Sequence, residues 1–155
     1  ALEMAASLQV PVILMHMQGD PKTMQVNPHY TDVVKEVKEF LLQRVEDALK
    51  AGIKKENIIL DLGFGFGKSP KHNYQLLDHM QEFVDLGYPV LSALSRKSMI
   101  GAATNIEEPN QRVVGSVAGA LLSIERGAQL VRVHDVEETR QAFDVYKAML
   151  ESRKD

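Results

Sequence analysis

Four short apolar runs, "VPVILMH" (10–16), "NIILDLG" (57–63), "YPVLSALS" (88–95) and "AQLVRVHD" (128–135), are spaced along the chain with longer amphipathic segments between them. None of the runs alternates polar with apolar residues. They therefore read as strands covered on both faces, as in a parallel sheet. Val34, Val37, Leu41, Val45 and Ala48 mark the apolar face of the first intervening helix, and Gly52 follows where a C′ residue belongs. Leu76, Leu77, Met80, Phe83 and Val84 mark the second, ahead of Gly87. Val113, Val114, Val117, Leu121 and Leu122 mark the third, ahead of Gly127. In the fourth, Asp135 and Glu138 stand at capping-box spacing before Ala142, Phe143, Tyr146 and Leu150. A helix tail followed by four strand–helix units predicts an α/β fold with right-handed crossovers.

Four units are half of a (β/α)₈ barrel, which typically takes about 250 residues, and this chain has 155. A half-barrel leaves two sheet edges and an inner apolar face uncovered. The opening "ALEMAASLQV" reads as the end of a helix already under way, so the expectation is a single-domain piece, 1–155, of a larger barrel or a half that pairs with a copy of itself. Apolar residues at 45% and charged residues at 25% fit a soluble globular domain. The net charge of -3 argues against nucleic-acid binding. The absence of cysteine removes disulfides and thiolate chemistry. No apolar run approaches a membrane span, so no membrane partner is expected.

The longest irregular stretches, 17–30, 63–72 and 96–108, follow strands, where parallel α/β folds carry their chemistry. Strand one ends at His16 between Met15 and Met17; these either line a ligand surface or simply pack. "GDP" at 19–21 is a turn signal. Strand two ends in Asp61, a carboxylate in an apolar run that needs a partner, either a ligand or else a structural salt bridge or helix cap. "GFGFGK" (63–68) matches neither the Walker A pattern nor the dinucleotide fingerprint. Its glycines allow positive φ and close approach, and its phenylalanines either pack inward or offer a ring face to a flat ligand. "SALSRKSMIG" (92–101) crowds Ser95, Arg96, Lys97 and Ser98 at a strand-to-loop transition suited to an anionic or electron-rich ligand. In "LVRVHD", Arg132 and His134 alternate and share a face, a plausible oxyanion or pyrophosphate clamp, while Asp135 reads as a helix cap. His29, His72 and His79 show no metal-ligand spacing. One carboxylate with several cations, and no nucleophile–base pair, suits an anionic leaving group beside a flat polar heterocycle.

"LMHMQGDPKTMQ", "LDLGFGFGK", "SRKSMIG" and "RVHDV", in this order and spacing, resemble bacterial dihydropteroate synthases over essentially the whole chain. The resemblance implies strands five to eight of a TIM barrel. The enzyme joins 6-hydroxymethyl-7,8-dihydropterin pyrophosphate to p-aminobenzoate with Mg²⁺ and releases pyrophosphate. The family is cytoplasmic, a sulfonamide target, and dimerises through its last helices, which points to segments 72–86, 109–126 and 136–150. The resemblance further implies that Asp61 and Lys97 bind the pterin, and that Phe66 and Lys97 flank the p-aminobenzoate ring. Ser98 lies near that ligand's carboxylate, and Arg132 and His134 hold pyrophosphate. Met15, Gly65 and Ser95 line the pterin pocket. Lys97, Arg132 and His134 are thus the expected catalytic residues.

No metal ligand is expected in this chain; Mg²⁺ is expected on the substrate pyrophosphate and on residues of an upstream half. That half would carry the Asn-Val-Thr-Pro-Asp-Ser-Phe and Glu-Ser-Thr-Arg-Pro loops, so the chain alone is expected to be inactive. The chain departs from the family in reading Asp61-Leu62-Gly63 where Asp-Pro-Gly is frequent, and Ala93 where glycine is common. The competing expectations are another pterin-binding barrel, such as a methyltetrahydrofolate-dependent methyltransferase, or a non-catalytic half-barrel assembly module.

Overall fold

The computed structural model describes residues 1–20, 22 and 26–154. The chain runs α1 (Leu2–Leu8), β1 (Val12–Met15), α2 (Val33–Lys50), β2 (Ile58–Asp61), α3 (Pro70–Asp78), α4 (Met80–Val84), β3 (Val90–Ser92), α5 (Ser98–Thr104), α6 (Val113–Glu125), β4 (Leu130–Val131) and α7 (Val136–Glu151). The four strands form one parallel sheet in the order β1-β2-β3-β4. All four expected strands are present, each shorter than its apolar run, because the ladder stops where the loops begin. Of the turn expected at 19–21, Pro21 lies outside the described residues, and Gly19 has φ 75°. The result is a partial (β/α) barrel, as expected.

The core lies between the sheet and its helices. Ile58, Leu60 and Val90 from the strands meet Val37, Leu41 and Ala48 of α2 and Leu76, Met80 and Phe83 of α3 and α4. Full burial of a large aliphatic or aromatic side chain contributes roughly 1.5–3 kcal/mol. The face of α2 is as the periodicity indicated, with Asp32 accepting from the Lys35 amide as N-cap and Gly52 at φ 95° after the last turn.

Three expectations change. The second helical segment breaks at His79 into α3 and α4. The face of α6 is shifted: Ser116, Gly119, Ala120 and Ser123 are buried, Val113, Val117 and Leu121 are half-buried, and Val114 (84% exposed) and Leu122 (40%) point outward. Small residues face inward because the helix sits very close to the sheet; a Cβ on Gly119 would lie 2.4 Å from Leu94 Cδ1. Asp135 precedes α7 but caps nothing with its side chain among the described residues, because its carboxylate is held by Arg96.

The inner face of the sheet is open at its edges, with Ile13 54% and Leu130 41% exposed. Among the described residues no helix is long and apolar enough to cross a membrane.

Candidate active site

The carboxyl ends of the strands surround a cleft of about 490 Å³. It is lined by Met15 from β1, Asp61 from β2, Phe66 from the glycine loop, Ala93, Ser95, Arg96 and Lys97 after β3, Pro109, and Arg132 and His134 after β4. The cleft gathers residues that lie 119 positions apart at their extremes, 134 less 15. A larger cavity of about 640 Å³, between α2 and α3, collects none of the expected site residues.

Asp61 is the last residue of β2 and is buried. Its Oδ1 accepts from the Gly63 amide at 2.8 Å. Burial raises its pKa above the usual carboxylate value; the Gly63 hydrogen bond and the nearby Lys97, Lys68 and Arg132 only partly offset that. No cation lies within salt-bridge distance of it among the described residues, so the structural-salt-bridge alternative fails.

The glycine loop turns through three left-handed residues, Gly63 (φ 70°), Gly65 (φ 83°) and Gly67 (φ 70°). Gly63 is tightest, since a Cβ there would lie 1.9 Å from the His16 carbonyl oxygen. Its two phenylalanines part company. Phe64 is fully buried in the core, while Phe66 borders the cleft. Lys97 spans this loop: its Nζ donates to the Phe64 carbonyl at 2.5 Å and lies 4.9 Å from the centre of the Phe66 ring. Burial depresses the Lys97 pKa, against the pull of Asp61. Gly65 lies beside Lys97, with a Cβ placed 3.5 Å from Lys97 Cδ, but it is not part of the cleft wall.

Arg132 and His134 both reach the cleft, as their shared face implied, yet both are exposed rather than buried. β4 ends at Val131, so neither side chain lies within the ladder and no large desolvation cost arises. Ser95 Oγ joins this edge to the β3 loop through His134 Nδ1 at 2.9 Å and the His134 amide at 3.2 Å. Ser98 is not brought into the cleft. It is exposed as the first residue of α5 and borders a separate cavity of about 280 Å³.

Several residues that sequence reasoning left without a role hold this arrangement. Arg96 adopts φ 59° and makes a bidentate pair with Asp135 at 2.6 and 3.1 Å, tying the β3 loop to the β4 loop. Arg112 donates to the carbonyls of Arg96, Ile106 and Glu107. Lys68 is 3% exposed, and its ammonium donates to the Gly63 and Phe66 carbonyls at 2.7 and 3.0 Å. Burial draws its pKa down to about 7 despite the nearby Asp61. Its place at the end of the glycine motif was the only hint in the sequence. His16 is not at the mouth. It is buried against the Phe40 ring (4.8 Å) and near Tyr30 (6.0 Å), its Nδ1 has no partner among the described residues, and burial lowers its pKa to about 3. Ala93 does border the cleft, so its methyl narrows it. Leu62, where proline is frequent, is fully buried.

A parallel partial barrel with a cationic cleft around one buried carboxylate is a ligand-binding α/β architecture with its site at the strand ends. Residues 1–134 match the family described as pterin binding enzyme, and the chain belongs to that family. The dihydropteroate synthase of Haemophilus influenzae is 56% identical over 149 residues, 96% of this chain and 54% of its own length. The Xanthomonas albilineans dihydropteroate synthase in complex with 7,8-dihydropteroate superposes with a TM-score of 0.90 at 50% identity, over 96% of this chain and 54% of that one. The same enzyme with 4-aminobenzoic acid superposes with a TM-score of 0.91 at 52% identity, over 96% and 52%. The motif resemblance to dihydropteroate synthases is thus borne out. The chain spans about half the length of the curated relatives it matches.

Proposed function

We propose that the polypeptide carrying this chain is a dihydropteroate synthase, and that residues 1–155 form one unit of its barrel. The observation that carries the reading is Lys97, held between the Phe64 carbonyl and the Phe66 ring in a cleft that also contains Asp61, Arg132 and His134. The relatives bound to 4-aminobenzoic acid, the arylamine substrate, and to 7,8-dihydropteroate, the condensation product, support the same reaction here.

In this reading the Asp61 carboxylate accepts two hydrogen bonds from the amino-pyrimidine edge of the pterin. Ligand donors then favour the ionised form that burial alone disfavours. Met15 and Ser95 border the pterin, Gly65 backs it only through the Lys97 side chain, and Lys97 donates to its polar edge. Arg132 and His134 take the pyrophosphate oxygens. The bond from the pterin methylene to the pyrophosphate oxygen breaks, and its electron pair leaves with pyrophosphate, where the two cationic or donor side chains meet the growing charge. The arylamine nitrogen, oriented against Phe66 and Lys97, supplies the pair for the new C–N bond and afterwards loses one proton. The electron-rich ring stabilises the methylene cation, so no strong base is needed. Ser98, which borders the neighbouring cavity, meets the arylamine carboxylate only if that end of the ligand extends beyond the cleft.

Among the described residues no three His, Asp or Glu side chains come together as an all-protein metal site requires. Mg²⁺ is usually held by one or two carboxylates together with substrate phosphate oxygens and water, so the ion would come with bound pyrophosphate, and nothing above is routed through it. It would be held by substrate pyrophosphate and ligands outside this chain. A homodimer through segments 72–86, 109–126 and 136–150 is supported in the last two by Val114, Leu122, Val145 and Met149, exposed on α6 and α7. A cytoplasmic location fits this reading. The 155-residue chain alone should be inactive, because its sheet edges are open and it spans about half the length of its relatives.

Calorimetry on the longest native polypeptide containing this chain tests the proposal. Dihydropterin pyrophosphate should bind, and adding p-aminobenzoate should bring the further heat of condensation. Binding of methyltetrahydrofolate with no response to p-aminobenzoate would move the protein to the methyltransferase class.

A further inference from the structure

Lys68 does not border the cleft and is almost fully buried, so it cannot touch a ligand there. A buried ammonium needs acceptors, and two of those it has are carbonyls of the glycine loop itself, on either side of the Phe64–Gly65 pair. The Gly63 carbonyl also receives the Phe66 amide at 3.0 Å. Drawing the carbonyls of residues 63 and 66 inward fixes the turn between them. That turn sends the Phe64 side chain into the core, points its carbonyl at Lys97, and leaves the Phe66 ring at the cleft. Three left-handed glycines give such a loop little stiffness of its own.

We propose that Lys68 is a positioning residue for the arylamine side of the site, binding the glycine loop from beneath and so setting the Phe66 ring and the Phe64 carbonyl that hold Lys97. The proposal rests on the synthase reading. It adds that the dihydropterin pyrophosphate side, held by Asp61, Arg132 and His134 besides Lys97, depends on Lys68 less than the arylamine wall does.

The test uses Lys68→Met and Lys68→Gln, each alone and with Phe66→Ala, in the longest native polypeptide. Losing one hydrogen-bonded charge that shapes the wall should raise the p-aminobenzoate KM by about tenfold in Lys68→Met, and less in Lys68→Gln, which keeps one donor group. Affinity for dihydropterin pyrophosphate should change by less than about threefold by comparison. On a Phe66→Ala background Lys68→Met should add little, because both act on one wall. Amide exchange in the ligand-free protein should quicken at Gly65 and Phe66 and not across β2. Equal losses for both substrates, additive effects, unchanged kinetics, or variants that fail to fold would each overturn the proposal. A wild-type protein without synthase activity would instead sink the synthase reading. The exchange at Gly65 and Phe66 would still decide whether Lys68 shapes the loop.

Discussion

Replacing Gly63 by alanine separates two costs that the neighbouring glycines combine differently. Gly63 and Gly65 have similar left-handed backbones, φ 70° and 83°. Each substitution therefore carries a backbone penalty of about 1–2 kcal/mol. At Gly65 the new methyl meets, among the described residues, Lys97 Cδ at 3.5 Å, an ordinary contact. At Gly63 it would stand 1.9 Å from the His16 carbonyl oxygen and 3.2 Å from Lys68 Nζ. A backbone oxygen cannot swing aside, and His16 is fixed by its own amide bond to the Asp61 carbonyl. Relief requires parting the end of β1 from the loop, a forced displacement worth roughly 1–3 kcal/mol more. Gly63→Ala should therefore lose about 2 kcal/mol beyond Gly65→Ala, read as the difference in urea midpoint at constant slope. Equal losses, or a greater one at Gly65, would refute the claim that the loop is pinned against β1.

Asp61→Asn should abolish pterin binding yet leave the protein as stable or more stable at neutral pH. The folded pKa is raised, so stability is lost as pH rises from the unfolded value through the folded one, and the amide still accepts from Gly63. Urea melts and pterin calorimetry on the same sample check both halves. His16 has the opposite sense: its folded pKa falls from 6.5 to about 3, so the unfolded chain takes up a proton first as pH falls. Stability should drop through that window by about 3 kcal/mol at roughly pH 4, and His16→Leu should flatten the slope in pH-dependent unfolding. Asp135→Asn weakens the tie between the β3 and β4 loops, and steady-state kinetics should record a roughly ten- to hundredfold loss of turnover with the fold retained by circular dichroism. Val145→Glu should weaken a dimer formed through α7, seen as a lower mass by light scattering.

The strand positions were legible because a strand buried on both faces reads as a continuous apolar run, and Val12–Met15, Ile58–Asp61, Val90–Ser92 and Leu130–Val131 all fall within such runs. The helical face of α2 was legible for the same reason. The face of α6 was not, because periodicity weighs large apolar side chains, whereas the buried side holds Ser116, Gly119 and Ala120, with Leu94 leaving no room for a side chain at Gly119. Asp135 stood where a cap belongs, but only the folded chain brings Arg96 to it from 39 positions away. The cleft followed from strand ends, since Met15, Asp61, Lys97, Arg132 and His134 sit at or just beyond them. Lys68 and Arg112 were invisible as supports, because their partners are backbone carbonyls, which carry no sequence signature.

The most direct measurement of the central claim is pyrophosphate release from dihydropterin pyrophosphate by the longest native polypeptide, with and without p-aminobenzoate, in wild type and Lys97→Ala. Release that depends on p-aminobenzoate, one pyrophosphate per arylamine consumed, and that collapses in Lys97→Ala is the expected result. A folded protein that releases none under either condition would contradict the synthase reading, leaving the cleft as a mark of ancestry.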